Sequence, residues 1–408
     1  MTLWMIEPCE PLIIRDGRPF DRQPGVLAVS LPFPFPSTTA GAARSRAGTD
    51  DQGSFSVEGT EALNSLREIS IRGPLLFEVD QERAFKQSLL VPAPGDALLL
   101  ESKEHSGQVD CRRLIPLTAF PGSLTDAPKN TSTGRELLPV GPVPATSAKP
   151  AKQQPAFWRW CHFERWLRDP EHMDKQVFAK GVPGISALPV EQRVHVALER
   201  GMMVALEGAL FETRGLEFTS ASDAPTDRGR TRRLALLLDV TEPGQYHIRP
   251  GLDCLGAERR LANWQEGDVT LPACPDSLRQ QIVREGYCRL ILLTPACFKQ
   301  GYLPDFLQQE SKGIQAEVQA AVVQRPQVIS GWDMEYRRPR PTRRLVPAGS
   351  VYFLRLHGEL AAIEQWIERT WMHSISDDTQ DRRDGFGLAV LGSWSGERVD
   401  MEIAKEEA

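Results

Sequence analysis

The chain has 408 residues, 41% of them apolar and 25% charged, with a formal net charge of −6. That length predicts two domains, and the balance of residue types is that of a globular protein. The acidic total excludes a surface that is basic throughout, so any nucleic-acid contact must rest on local patches. Residues 3–6 read as a strand. In PLIIRDGRPF (11–20), Asp16-Gly17 is a turn signal between two short extended runs. Pro32, Pro34 and Pro36 then hold the chain extended. A helix is predicted from Ser37, whose hydroxyl can cap it, through STTAGAARSRA. EISIRGPLLFEV (68–79) reads as a strand pair or one bent strand.

Residues 121–155 are rich in Pro, Ser, Thr and Lys, and predict a long mobile loop. FWRWCHFERWL (157–167) reads as a helix whose aromatics pack into a core. Residues 193–218 alternate apolar and polar, as half-buried strands do. A polar loop (219–231) leads to RLALLLDV (233–240), a strand buried on both faces. Asp276 can cap a short helix, SLRQQIVREG, before the strand YCRLILLT (287–294). Residues 320–333 read as extended. VYFLRL (351–356) is a strand. Leu360, Ile363, Trp366, Ile367 and Thr370 share one side of a helix over about 359–373. DDTQDRRDGFG reads as a turn-rich loop, and LAVLGSW (388–394) as a strand. Strand, helix, glycine loop and strand form a β-α-β unit that would close a ferredoxin-like sheet. The first half threads the same way.

Familiar reaction machinery is missing. There is no G-x-x-x-x-G-K-[ST] phosphate loop and no H-E-x-x-H helix. GFGLAVLG lacks the spacing of a dinucleotide fingerprint, and GSWSG misplaces the serine of a nucleophile elbow. The seven cysteines form no C-x-x-C pair and no zinc-ligand spacing. They read as buried thiols of a reducing compartment. No apolar run is long enough to cross a bilayer, and the start, MTLWMIEPCEP, lacks the basic region of a signal peptide. A cytoplasmic protein without metal or cofactor is expected.

Eight segments carry a resemblance. They are EPLIIRDGRPF (10–20), PFPFPSTTAGAARS (32–45), IRGPLLF (71–77), EQRVHVALERG (191–201), LGAERR (255–260), LILLTPACFKQGYLPD (290–305), ISGWDMEYRRPRPTRRLVPAGSVYFL (329–354) and GFGLAVLGSW (385–394). In this order they resemble the third-subunit family of the Cmr (type III-B) CRISPR effector, within the RAMP superfamily. Ala257 stands where the family usually has a second glycine. The resemblance implies an α+β fold of two ferredoxin-like (RRM-like) domains with long loop insertions, expected here at 1–190 and 191–408. It implies a non-catalytic subunit in antiviral defence that binds the 5′ tag of the CRISPR RNA. The expected partners are the large polymerase/cyclase-like subunit and the backbone subunit, with no membrane.

Several residues in those segments are suited to RNA. The helix start at Ser37, Thr38 and Thr39 offers hydroxyls, N–H groups and a positive dipole end to a phosphate. Gly41 and the nearby alanines let another backbone approach, and Arg44 and Arg46 add charge. An ordinary capped helix packed on a sheet uses the same residues. Gly385, Phe386 and Gly387 can offer bare backbone to a phosphate, with Phe386 stacking on a base or filling the core. Arg382 and Arg383 lie just before them. Arg337, Arg338, Arg340, Arg343 and Arg344 alternate with prolines and predict an extended basic finger. Arg15, Arg18 and Trp332 belong to the same expected surface. Arg193, His195, Arg259 and Arg260 join it, although Glu258 and its neighbouring arginines can simply pair. Two other functions are set against this one: an endoribonuclease using His195 or His373, and a scaffold whose arginines meet acidic subunits.

Overall fold

A computed structural model describes residues 1–15, 27–28, 30–50, 52–79, 84–102, 107–118, 137–152, 154–179, 182–199, 201–221, 231–307, 313–333 and 338–401. Two antiparallel sheets organise them. The elements that build these sheets, in chain order, begin with strand β1 (Thr2–Pro8), helix α1 (Pro36–Ala47) and strand β2 (Ser70–Glu78). Helix α2 (Trp160–Arg168) follows within a long insertion, and then come β3 (Thr231–Thr241) and β4 (Leu261–Gly267). The second set is α3 (Asp276–Glu285), β5 (Tyr287–Leu292), β6 (Ile314–Val322), β7 (Val351–Gly358), α4 (Leu360–Thr370), α5 (Thr379–Asp384) and β8 (Leu388–Ser393).

In the first sheet the central order is β2-β3-β1-β4, every pair antiparallel. In the second it is β6-β7-β5-β8, again antiparallel. Numbered within each unit, both orders read second, third, first, fourth, the ferredoxin-like arrangement. The expected fold class is therefore present twice. The division of the chain differs from the expected one. β3 and β4 flank β1, so the first sheet runs across residues 190/191 and ends with β4 at Gly267. Local alternation identifies a strand but not the sheet it joins; that depends on partners far along the chain.

Several local expectations change for physical reasons. Arg15 bridges Ser30, and the turn expected at Asp16-Gly17 lies outside the described residues. Helix α1 begins at Pro36 rather than after a Ser37 cap: Phe35 is the N-cap, without a side-chain bond, and proline fills N1, where its missing N–H costs nothing. Likewise α3 begins at Asp276 with Pro275 as its N-cap. Residues 68–79 give one strand, bent at a register shift opposite Leu237 and Asp239. Of the loop expected at 121–155, residues 137–152 are docked, with Leu137 and Ala151 buried and Val140–Pro142 paired as a strand. The turn-rich stretch before Gly385 contains α5, which Asp378 caps by accepting from the N–H groups of Gln380 and Asp381.

The aromatics of 157–167 pack into the core as expected, but the predicted helix starts only at Trp160, because Phe157–Arg159 pair as a strand with Leu90–Pro92. Trp158, Trp160, Phe163 and Trp166 are all at most 1% exposed. Beside them lies a buried ion pair between Arg289 of β5 and Asp96 of the insertion, each at most 2% exposed on its side chain. Trp166 donates its ring N–H to Asp96 (2.9 Å), and Arg289 donates to the Trp166 and Ser393 carbonyls (2.6 and 2.9 Å). These bonds tie the insertion to the second sheet. The 190–216 hairpin differs from expectation. Its strands, Val190–Leu198 and Ala205–Leu216, pair with each other, but Val190, Val194, Val196, Leu198 and Leu210 are all more than 40% exposed. Among the described residues, no helix is long and apolar enough to cross a membrane.

Candidate nucleic-acid interface

Two expected segments meet where the units join. Phe35, at the start of α1, shares a buried cluster with Ile329, Leu345 and Phe386. Ile329 and Leu345 belong to a hairpin whose strands, Gln327–Ile329 and Arg343–Leu345, pair antiparallel. Its outer part pairs Trp332 with Pro339 and Asp333 with Arg338. The arginine-proline run is thus the return arm of a hairpin. Its alternating prolines forbid a helix, and the extended arm leaves Arg338, Arg340 and Arg344 exposed.

The arginines divide by what they touch. Arg343 donates to Asp381 (2.6 Å) and lies over the Phe386 ring at 5.3 Å. Arg340 and Arg344 make no side-chain hydrogen bond or ion pair among the described residues. Ser37 is exposed and Thr38 half-buried, and the first turn of α1 carries no acid. Gly41 is exposed, with nothing within 4 Å of where a Cβ would stand. Thr39 points inward and donates to the Pro36 carbonyl (3.1 Å). The acid-free helix start therefore meets, through Phe35, Ile329 and Leu345, the base of the hairpin that carries the unpaired guanidinium groups, and these are ingredients of a phosphate site.

Other expected contacts are occupied within the chain. Arg44 bonds Asp384 (2.6 Å) and the Ile69 carbonyl (2.9 Å). Arg46 is buried against Asp253 (3.0 Å) and the Arg249 carbonyl (2.5 Å). Ala40, Ala43 and Ala47 pack into the core. The backbone of Gly385, Phe386 and Gly387 is not bare: their N–H groups donate to the carbonyls of Arg382 (3.1 Å), Asp381 (3.0 Å) and Pro295 (2.8 Å). Phe386 is fully buried, so it fills the core and has no face to stack on a base. Arg382 caps the Ser376 and Asp377 carbonyls (2.6 and 2.8 Å), and Arg383 reaches Glu68 at 3.8 Å. The neighbouring Cys297 thiol is pushed up by burial and by Asp381.

A second group gathers where the 190–216 hairpin meets the first unit. Arg260 bonds Glu10 (2.5 Å) and faces Glu258 at 3.5 Å. Bonds from Arg260 and the Leu261 N–H, with a weaker pull from Arg193, hold the Glu10 carboxyl below its usual range. Arg193 pairs with Glu191 at 2.8 Å. Arg259 is exposed and makes no side-chain ion pair among the described residues. His195 meets the Thr213 hydroxyl (2.8 Å) and stacks on Phe211 at 5.0 Å. His373 meets the Trp371 carbonyl (2.8 Å). Arg15 is exposed. Arg18 and Arg337 lie outside the described residues, as does the side chain of Trp332. The described residues contain no group of three or more His, Cys, Asp or Glu able to hold a metal. Sequence reasoning missed Gln327, whose side-chain oxygen is buried without a partner; nothing in its sequence neighbourhood marks it.

No curated protein matches the chain. Among solved structures, it is similar to a chain of a type III-B Cmr-beta complex bound to cognate target RNA and AMPPnP (state 1), and to one of the same type of complex bound to cognate target RNA. Both are 14% identical over 86% of each chain, with TM-scores of 0.44 and 0.40. A family model described as "CRISPR-associated protein (Cas_Cmr3)" matches residues 4–394. That match takes in nearly all of both ferredoxin-like sheets and both hairpins, and the chain belongs to the Cas_Cmr3 family of CRISPR-associated proteins.

Proposed function

We propose that this chain is the non-catalytic subunit of a type III-B CRISPR effector complex that holds the 5′ tag of the CRISPR RNA. In this reading its two units, dividing after residue 267, join the large polymerase/cyclase-like subunit to the backbone subunit. The observation that carries the reading is the meeting of an acid-free helix start with a hairpin whose Arg340 and Arg344 are unpaired among the described residues. Phosphate and ribose contacts of single-stranded RNA suit such a surface. The acidic balance of the whole chain suits weak binding alone and firm binding in an assembly, where partners complete the groove.

The test is the double variant Arg340→Ala/Arg344→Ala, assayed for retention of tag-bearing RNA and for thermal stability. Losing two phosphate contacts makes the salt dependence of log K shallower by about 1.4 for single-stranded RNA. Thermal stability stays within about 0.5 kcal/mol, because both side chains are exposed. Unchanged affinity and salt slope would remove these arginines from the interface. Crosslinks from the tag to other subunits alone would reduce this chain to a scaffold.

A further inference from the structure

The first strand of the 190–216 hairpin is the outer edge of its sheet: among the described residues it pairs with the second strand and with no other. Native edges are blunted by proline, lysine, a bulge or a covering loop. Val190–Leu198 contains no proline and no lysine. The register shift after Val196 puts its extra residues in the second strand, between Ala205 and Leu210, so the edge strand itself runs unbroken. Val194 is 63% exposed, and Val190, Val196 and Leu198 are exposed with it on the same face. An open edge joined to an apolar face is a template for another strand.

The hydrogen bonds fix which groups that edge offers. Glu217 donates to the Pro189 carbonyl (2.8 Å), and at the hairpin's far end Glu199 donates to the Val204 carbonyl (2.9 Å). Leu216, across from Val190, instead exchanges bonds with Leu12 (2.7 and 2.9 Å). Bonded and unbonded positions alternate along an antiparallel pair. The odd-numbered residues therefore bond inward, and the even-numbered ones from Val190 to Leu198 turn their N–H and C=O groups to the open edge. The strand fits a copy of itself. Laid antiparallel with Val194 opposite Val194, it sets Val190 against Leu198 and Gln192 against Val196, all edge-facing positions. On the other face Glu191 meets Ala197 and Arg193 meets His195, so no acid opposes an acid. RNA suits this edge poorly, because Arg193 is paired with Glu191 (2.8 Å) and Glu199 adds a further negative charge.

We propose that this edge binds a second copy of the chain, the two Val190–Leu198 strands pairing antiparallel about a two-fold axis at Val194. The contact is isologous, so it closes at two copies. One strand edge covers less than the roughly 800 Å² per partner of a standard interface, so the dimer is weak, with Kd on the order of 10 μM. The inference is independent of the RNA-binding reading. Sedimentation velocity of the full chain tests it, with monomer giving way to dimer between about 1 and 100 μM. Val194→Lys and Val194→Glu each set like charges at the axis and raise Kd at least about fivefold; mixing the two variants restores dimers as a heterodimer. Val194→Pro removes the central edge-facing N–H without a bond to the second strand, and raises Kd about tenfold. Melting temperatures stay near that of the unaltered chain, because Val194 is exposed. Where Val194→Pro lowers its own, the Lys and Glu variants decide alone.

A monomer throughout that range, a dimer that the Val194 changes leave intact, or Lys and Glu variants that stay monomeric when mixed overturns the proposal. A monomeric free chain whose Val194 variants fail to join the assembled complex would make the occupant a strand of a partner subunit. That result sinks the proposal as well, and none of these outcomes touches the RNA-binding reading.

Discussion

A methyl group at residue 385 would stand 2.5 Å from the Gly73 carbonyl oxygen and 2.9 Å from that of Ile71, on a backbone with φ of 100°. Only glycine suits that position, because an L side chain there meets both backbone strain and a rigid neighbour. Gly385→Ala is expected to cost about 2–4 kcal/mol, read as a lowered denaturation midpoint; a shift below 0.5 kcal/mol would show that the seam yields easily. Arg289 and Asp96 pose a different residue-scale question. Removing one partner leaves a buried charge alone, so Asp96→Ala should cost about 3–5 kcal/mol. Combining Asp96→Leu with Arg289→Met removes the lone charge but leaves the Trp166 ring N–H and the Trp166 and Ser393 carbonyls without these partners, so only part of the loss should return, and thermal melts of single and double variants would decide it. The sequence marked the glycines but could not choose between ligand and packing. Phe386 shows why: its neighbours Phe35, Ile329 and Leu345 come from segments read as unrelated.

Among elements, those with a strong local pattern were the most legible. α4 needed only its apolar side, and β3 its unbroken apolar run. α5 was missed because its six residues have no apolar stripe; a cap at Asp378 and a left-handed glycine at its end are enough to form it. The 190–216 hairpin was misread in burial, since alternation shows that a strand has two faces but not that either is covered. Its apolar face is exposed, which marks a surface others can cover or a point of self-association. Val194→Thr/Val196→Thr is expected to leave stability within about 0.5 kcal/mol, because neither valine is in the core. Light scattering from the free chain should fall. Unchanged scattering beside a lost fold would mean that the hairpin packs internally.

For the whole molecule, burial of thiols gives stability a direction with pH. Burial pushes the Cys111 thiol up to about 12 and that of Cys274 to about 11, and it raises Cys288 and Tyr352 as well. In the unfolded chain thiols titrate near about 8.5. Above that pH the unfolded state loses protons that the folded state keeps, so stability present below about pH 8.5 declines as pH rises toward 11–12. Each thiol contributes up to about 1.4 kcal/mol per pH unit. Melting temperatures at pH 8 and pH 10 should differ, and Cys111→Ala should reduce the difference; no difference would refute the linkage. At this scale the ferredoxin-like class was legible from the C-terminal β-α-β pattern. The division of the chain was not, because β1 recruits neighbours from beyond residue 230.

That recruitment reaches back to the order of synthesis. β1 leaves the ribosome before both of the strands that flank it, which begin at Thr231 and Leu261. At about 5–20 residues per second, roughly 10–50 seconds of translation separate the first strand from the last of its neighbours. For most of that interval an apolar segment, with Leu3, Trp4 and Ile6 destined for burial, has neither lateral partner, and until its end it lacks one. The newborn polypeptide therefore emerges with an open seat at the middle of its first sheet, and chaperones have a clear reason to hold β1 until the far end of that unit arrives.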